Sequence, residues 1–321
     1  MKIKGSIKNL KIDTAFIVAL AGTLAALGIR IYQAFSGLID FETGFFTSEN
    51  ASVYVLYAIL AATAVAVFGI SFLAGEIPQE KMPAKKSPVV TLFAGVFAIA
   101  LVISAVEQFS LFSQAYASFN PILEEQTVMS YLMKSGALPR LGEAVCAALS
   151  AVYFIVVLIN YSGIKDFDMS LLKALSLCPL FWATFRMVQR FTRTISFMNV
   201  SSLFLELFMI AFMMMFFMYL AQMSSDVNAK AISFKIFSYG LIGSMFAAVV
   251  SVPKVLLIVF NSSYRELMSN DLLECAFEPA DLAFCLFTAT FLMLCLSSPR
   301  IKNMTLKETE KLIAVSSEEE K

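Results

Sequence analysis

Three arginines, Arg186, Arg190 and Arg193, follow one another at spacings of 4 and 3 residues inside a largely apolar stretch. Those spacings place all three on one face of a helix. The planar guanidinium fork suits the paired oxygens of carboxylates and phosphates. Other ionisable residues fall within or at the ends of apolar stretches too: Arg30, Glu107, Arg140, Glu143, Glu206, Lys254 and Asp281. Ionised side chains are costly inside a membrane and default to functional candidates. Arg30, Arg186, Arg190 and Lys254, with Glu107 and Glu206 as acids at the same depth, form the candidate ligand-binding set for an anionic solute or a lipid head group. The structural alternative is that the cations snorkel or pair with those acids inside a bundle. Two acids cannot match four cations. Two cations are therefore expected to need water, a bound anion or a backbone carbonyl such as that of Val249.

Pro253, beside Lys254, cannot donate to the carbonyl of Val249, so a kink is expected there. A broken helix with an adjacent charge is a transporter device. Pro179 is similar but has no charge beside it. Asp40 and Glu42, in the segment Ile39-Asp40-Phe41-Glu42-Thr43-Gly44-Phe45-Phe46, are weak candidates for holding a divalent cation. An enzyme built on this chain would be a membrane transferase using those two acids. A Thr-Gly turn anchored by aromatics at the membrane surface is the simpler expectation.

Nothing else in the chain points to catalysis, and no catalytic residue is assigned. There is no histidine, which removes the commonest metal ligand and general base. Five cysteines, at 146, 178, 275, 285 and 295, form no CxxC pair. They read as small apolar residues rather than a disulfide framework or metal cage. No P-loop is present, and no cofactor is expected.

The elements that must position these charges are membrane helices. Hydrophobic residues make up 59% of the 321 and charged ones only 15%, against about a quarter charged in soluble domains. Eight apolar stretches, at about 14–35, 52–74, 89–109, 143–160, 171–191, 202–223, 236–260 and 281–298, each approach the roughly 20 residues that span a bilayer. Backbone groups in lipid must be paired within the segment, and the apolar runs are continuous rather than alternating. The expected fold is all-α, a polytopic bundle of about eight transmembrane helices over residues 1–300. The basic N-terminal segment followed by an apolar run resembles a signal peptide. The run continues to Phe35, so an uncleaved first span is expected.

Lysine and arginine set the orientation. The N-terminal segment and the segments near 75–88, 165–173 and 230–235 are basic or mixed and fall inside. The segments 36–51, 110–142 and 261–280 fall outside. The inner side holds 16 basic and 11 acidic residues, an excess of +5 that the insertion rule explains. No nucleic-acid partner is called for. Residues 301–321 form a charged cytoplasmic tail, so both termini are expected in the cytoplasm. Residues 121–135 should form an amphipathic helix on the outer surface, with Ile122, Met129, Leu132 and Met133 on one face and Gly136 as its stop. Gly22, Ala25 and Ala26, and Gly240, Gly243 and Ala247, mark close helix contacts.

Several of these residues carry a resemblance. Arg30-x-x-Gln33, Ile39-Asp40-x-x-Thr43-Gly44-Phe45, Trp182-x-x-x-Arg186 and Asn199-x-Ser201-x4-Glu206 resemble a group of clostridial-type multi-pass membrane proteins. The likeness covers the first two stretches and the fifth and sixth. It implies a bacterial plasma membrane and no particular activity.

Three expectations follow for function. The first is a transporter of small anionic solutes, or a membrane binding subunit, that uses the basic set. The second is a non-catalytic scaffold or partner subunit whose charges are structural. The third is the transferase. The lipid bilayer is a partner in each.

Overall fold

The computed structural model describes residues 2–39, 46–47, 50–74, 87–119, 127–162, 173–192, 200–225, 229–269 and 277–297. Each of the eight apolar stretches is helical over most of its described residues. In chain order the helices are α1 (Lys2–Phe35), α2 (Ala51–Ala74), α3 (Pro88–Ala117), α4 (Val128–Lys134), α5 (Ala137–Ser162), α6 (Cys178–Thr192), α7 (Val200–Ser224), α8 (Ala229–Phe260), α9 (Ser262–Ser269) and α10 (Pro279–Ser297). No strand occurs among the described residues, where Ile39 and Phe46 form an isolated antiparallel bridge. Six helices, namely α1, α2, α3, α5, α7 and α8, are long and apolar enough to cross a membrane. Helix α10 is a shorter apolar helix, and α6 has only 15 residues.

Helix α6 begins later than its apolar pattern suggests. A helical turn at 173–175 precedes it, and Pro179 is its second residue. A proline there starts a helix rather than kinking one, because the first-turn N–H groups have no intrahelical acceptor. Pro253 behaves differently: α8 runs uninterrupted through it. Helix α4 is the described part of the amphipathic helix expected at 121–135. Thr127, whose hydroxyl accepts from the Ser130 N–H, caps it. Gly136, at φ +68°, follows its end in the left-handed region that favours glycine. Leu132 is buried, while Met129 and Met133 are exposed, so the predicted apolar face is split between the bundle and its surroundings.

Helices α3 and α5 run antiparallel, as do α7 and α8. The Ser87 N–H donates to the Tyr161 carbonyl, joining the start of α3 to the end of α5. Further along, Phe97 meets Phe154 with ring centroids 4.6 Å apart. Between α7 and α8, Phe208 stacks on Phe246 and Tyr219 on Tyr239. Phe97 is the hub of a buried aromatic layer, with Phe154, Trp182, Phe217, Phe284 and Phe287 all within 6.3 Å of its ring centroid. This layer ties α3, α5, α6, α7 and α10 together at one depth.

Glycines mark the closest helix approaches. A Cβ added at Gly22 would lie 2.2 Å from Thr63 Oγ1 and 2.8 Å from Thr63 Cβ. Rotating the threonine cannot relieve the second contact, because Cβ is fixed to the backbone of α2. One cheek of α1 is thus set by the absence of a methyl group. At Gly28 on the same helix nothing lies within 4 Å. Gly22→Ala is expected to lower stability in detergent by about 1–3 kcal/mol, and Gly28→Ala to leave it unchanged or raise it slightly. Thermal unfolding of the two variants side by side checks the α1–α2 contact. Equal effects would contradict it.

Candidate functional site

Helix α6 positions a deeply buried charge. Its inward face carries Trp182, Arg186, Gln189 and Arg190 at helical spacing, while Phe181, Val188 and Phe191 on the other side are exposed. Arg186 is only 1% exposed. Its fork grips Asp281 in a bidentate pair, Nη1 to Oδ1 at 2.5 Å and Nη2 to Oδ2 at 2.9 Å. Nη2 also lies 2.6 Å from Glu278 Oε2. The guanidinium stacks over Trp182, 5.7 Å from the ring centroid.

From Arg186 the charges continue in a line. Glu278 bridges to Arg190, Oε1 to Nη2 at 2.8 Å. Arg190 reaches Glu206, Nη2 to Oε2 at 3.4 Å. Glu206 pairs with Lys254, Oε1 to Nζ at 2.5 Å. The sequence Asp281–Arg186–Glu278–Arg190–Glu206–Lys254 alternates sign and joins α6, α7, α8 and the start of α10. Three carboxylates face three cations, so the chain of pairs is neutral along its length. Buried charges persist only when paired and hydrogen-bonded, and alternation satisfies that condition for each internal member.

Local sequence explains the α10 end. Pro279 is the first residue of α10, with Glu278 before it and Asp281 in the first turn. Proline suits that first position, and carboxylates there meet the positive end of the helix dipole. The Asp281 N–H donates to the Glu278 carbonyl, which holds the two acids on one side of the turn.

The remaining candidates divide. Arg30 is buried on α1, donates from Nη1 to Gln33 Oε1 at 3.2 Å, and lies within electrostatic range of Glu206. Gln33 in turn donates to Ser52 Oγ on α2 at 3.1 Å. Glu107 is exposed. Its neighbour Gln108 turns inward instead and accepts from Gln189 Nε2 at 3.0 Å. Glu143 is fully buried and interacts electrostatically with Arg186. The structure thus brings Arg186, Arg190, Glu206 and Lys254 into one chain, with Arg30 beside it, and places Glu107 on the outside of the bundle. Arg193, Asp40 and Glu42 lie outside the described residues, as does Cys275.

Two corrections to the sequence expectations follow. Within the chain of pairs the surplus of cations disappears, because Glu278 and Asp281 supply carboxylates that were missing from the count. Lys254 meets Glu206 and needs no carbonyl of Val249 for a partner. Glu278 was hidden by its position in an acidic segment assigned to the outer aqueous side. The Glu-Pro-x-Asp pattern was the available signal, since it marks a helix start at the depth of the arginines. Among the described residues no group of three or more His, Cys, Asp or Glu side chains could hold a metal ion, and no disulfide joins the four described cysteines. No known family, no curated protein and no solved structure matches this chain.

Proposed function

We propose that this chain is a non-catalytic scaffold or partner subunit of a bacterial cytoplasmic membrane, and that its buried charges hold helices together rather than receive an anion. The observation that carries this is the unbroken alternation from Asp281 to Lys254. An anion pocket would require cations that present their donors to a ligand. Here Arg186 Nη1 and Nη2, Arg190 Nη2 and Lys254 Nζ are directed at carboxylates of the protein itself. Thermal unfolding in detergent, across added phosphate, small carboxylates and lipid phosphates, tests the reading. No anion-dependent shift is expected. A saturable rise in the midpoint would reveal mass-action binding to the folded state and would restore the anion transporter.

The same proposal includes eight crossings with both termini in the cytoplasm. Six helices have the length unaided. Helix α10, at 19 residues, reaches roughly 28 Å, and α6, at 15, roughly 22 Å, by a rise of 1.5 Å per residue. The helical turn at 173–175 extends the path leading into α6. The ion-pair chain supports alternating passes, because it gathers the C-terminal parts of α6 and α8 and the N-terminal parts of α7 and α10 at one end. Lysine placement makes that end the outer one. The resemblance to clostridial-type membrane proteins supports the bacterial membrane. With the native cysteines replaced, an impermeant thiol reagent applied to intact cells should label Ser48→Cys and Asn270→Cys. Ala84→Cys and Asn228→Cys should stay unlabelled. Labelling of position 84 would overturn the topology.

A further inference from the structure

We propose that Cys146 of α5 and Cys178 of α6 form a two-thiol site across the seam between those helices, and that it takes a soft monovalent cation such as Cu(I). The inference goes beyond the scaffold role and does not depend on it.

The register of the two helices brings the thiols together. Helix α3 runs in the same direction as α6, since Phe97 meets Trp182 and, further along both, Gln108 meets Gln189. Helix α5 is antiparallel to α3, and so to α6. The two touch where Gly142 abuts Phe185, so closely that an added Cβ would lie 2.6 Å from the ring. From that contact Cys146 is four residues on along α5, and Cys178 is seven residues back along α6. Both steps lead in the same direction in space, and both return to the same helical face. The Phe185 side chain leans back toward the start of α6. The thiols therefore face each other within about one turn, roughly 5 Å, along the seam. They interact electrostatically. Both are half-buried, beside the exposed Leu177 and Phe181, so the pair is open to the surface of the bundle.

Magnitudes decide what such a pair can do. Packed helix axes lie about 8–10 Å apart, whereas a disulfide needs Cα atoms within roughly 7 Å, and no disulfide joins these two cysteines. An ion between the sulfurs adds two metal–sulfur bonds of about 2.3 Å each, which closes the remaining distance without moving the helices. Thiolate sulfur selects soft ions, Cu(I) among them. Among the described residues there is no group of three or more His, Cys, Asp or Glu side chains, so the pair suits an ion content with two sulfur ligands rather than the four that structural zinc takes. Binding breaks two S–H bonds, releases two protons to solvent and leaves a bridge with one net negative charge. Cys178 is the first residue of α6, where the positive end of the helix dipole meets that charge.

Native mass spectrometry of the full-length protein with Ag(I), a stand-in for Cu(I) that does not cycle between oxidation states, tests this in the presence of excess glutathione as a one-thiol competitor. One ion per chain should be retained by the wild type and by Cys285→Ser. Cys146→Ser and Cys178→Ser should each lose it completely, because half a bridge holds the ion no better than the competitor does. X-ray absorption at the silver edge, on the wild-type complex freed of competitor, makes the same assignment without a variant and should show two sulfur neighbours. No retained ion in the wild type would overturn the proposal. So would an ion kept by either Cys146→Ser or Cys178→Ser, one lost in Cys285→Ser, or a sulfur count other than two.

Discussion

Arg186→Met is expected to destabilise the protein by about 3–5 kcal/mol, among the largest effects of any single substitution. Methionine keeps much of the stem volume, so packing against Trp182 is largely preserved and the loss is electrostatic. The variant leaves Asp281, which is 3% exposed, without the fork that neutralises it. It also removes one of the two cations that share Glu278. Water cannot compensate at that depth, so the desolvation cost of the orphaned carboxylate appears almost in full. Reversible unfolding in mixed micelles gives the number. Lys254→Met should cost less, because Lys254 is more exposed and Glu206 retains Arg190. A loss below about 1 kcal/mol for Arg186→Met would mean that the pairs are incidental.

Phe97→Ala is expected to cost about 3–5 kcal/mol by a different route. Its ring is fully buried and touches five other rings on four other helices. Hydrophobic burial does not drive association between helices in lipid, so van der Waals packing must hold them. Removing the hub leaves a void that α3, α5 and α10 cannot all close at once. Phe109→Ala, on the same helix but 56% exposed, should change stability by about 0.5 kcal/mol or less. Comparable losses from the two substitutions would contradict the central role of the aromatic layer.

The helices were legible in the sequence because an apolar run of sufficient length in lipid has one way to satisfy its backbone. Residues 52–74 and 236–260 illustrate this, emerging as Ala51–Ala74 and Ala229–Phe260. Boundaries were less legible where proline intervened, since Pro179 begins α6 although the apolar pattern starts before it. Spacing alone placed Arg186 and Arg190 on one face, and depth alone brought Glu206 and Lys254 to their level. What spacing cannot give is the partner contributed by a distant element. Glu278 lies 92 residues from Arg186 in the chain, and only the docking of α10 beside α6 joins them. The same limit applies to Glu107 and Gln108. Both sit at the right depth, and it is the rotation of α3, fixed by Phe97 and its neighbours, that turns the neutral side chain inward.

A double-mutant cycle on Arg186 and Asp281 bears most directly on whether the buried charges are structural. Arg186→Met and Asp281→Leu should each destabilise strongly, because each strands a buried charge. Combined, they should recover much of the loss, with a coupling energy on the order of 2–3 kcal/mol. Recovery should be incomplete, since Glu278 would depend on Arg190 alone. If the two losses simply add, the ion pairs do not hold the helices together and the scaffold account fails.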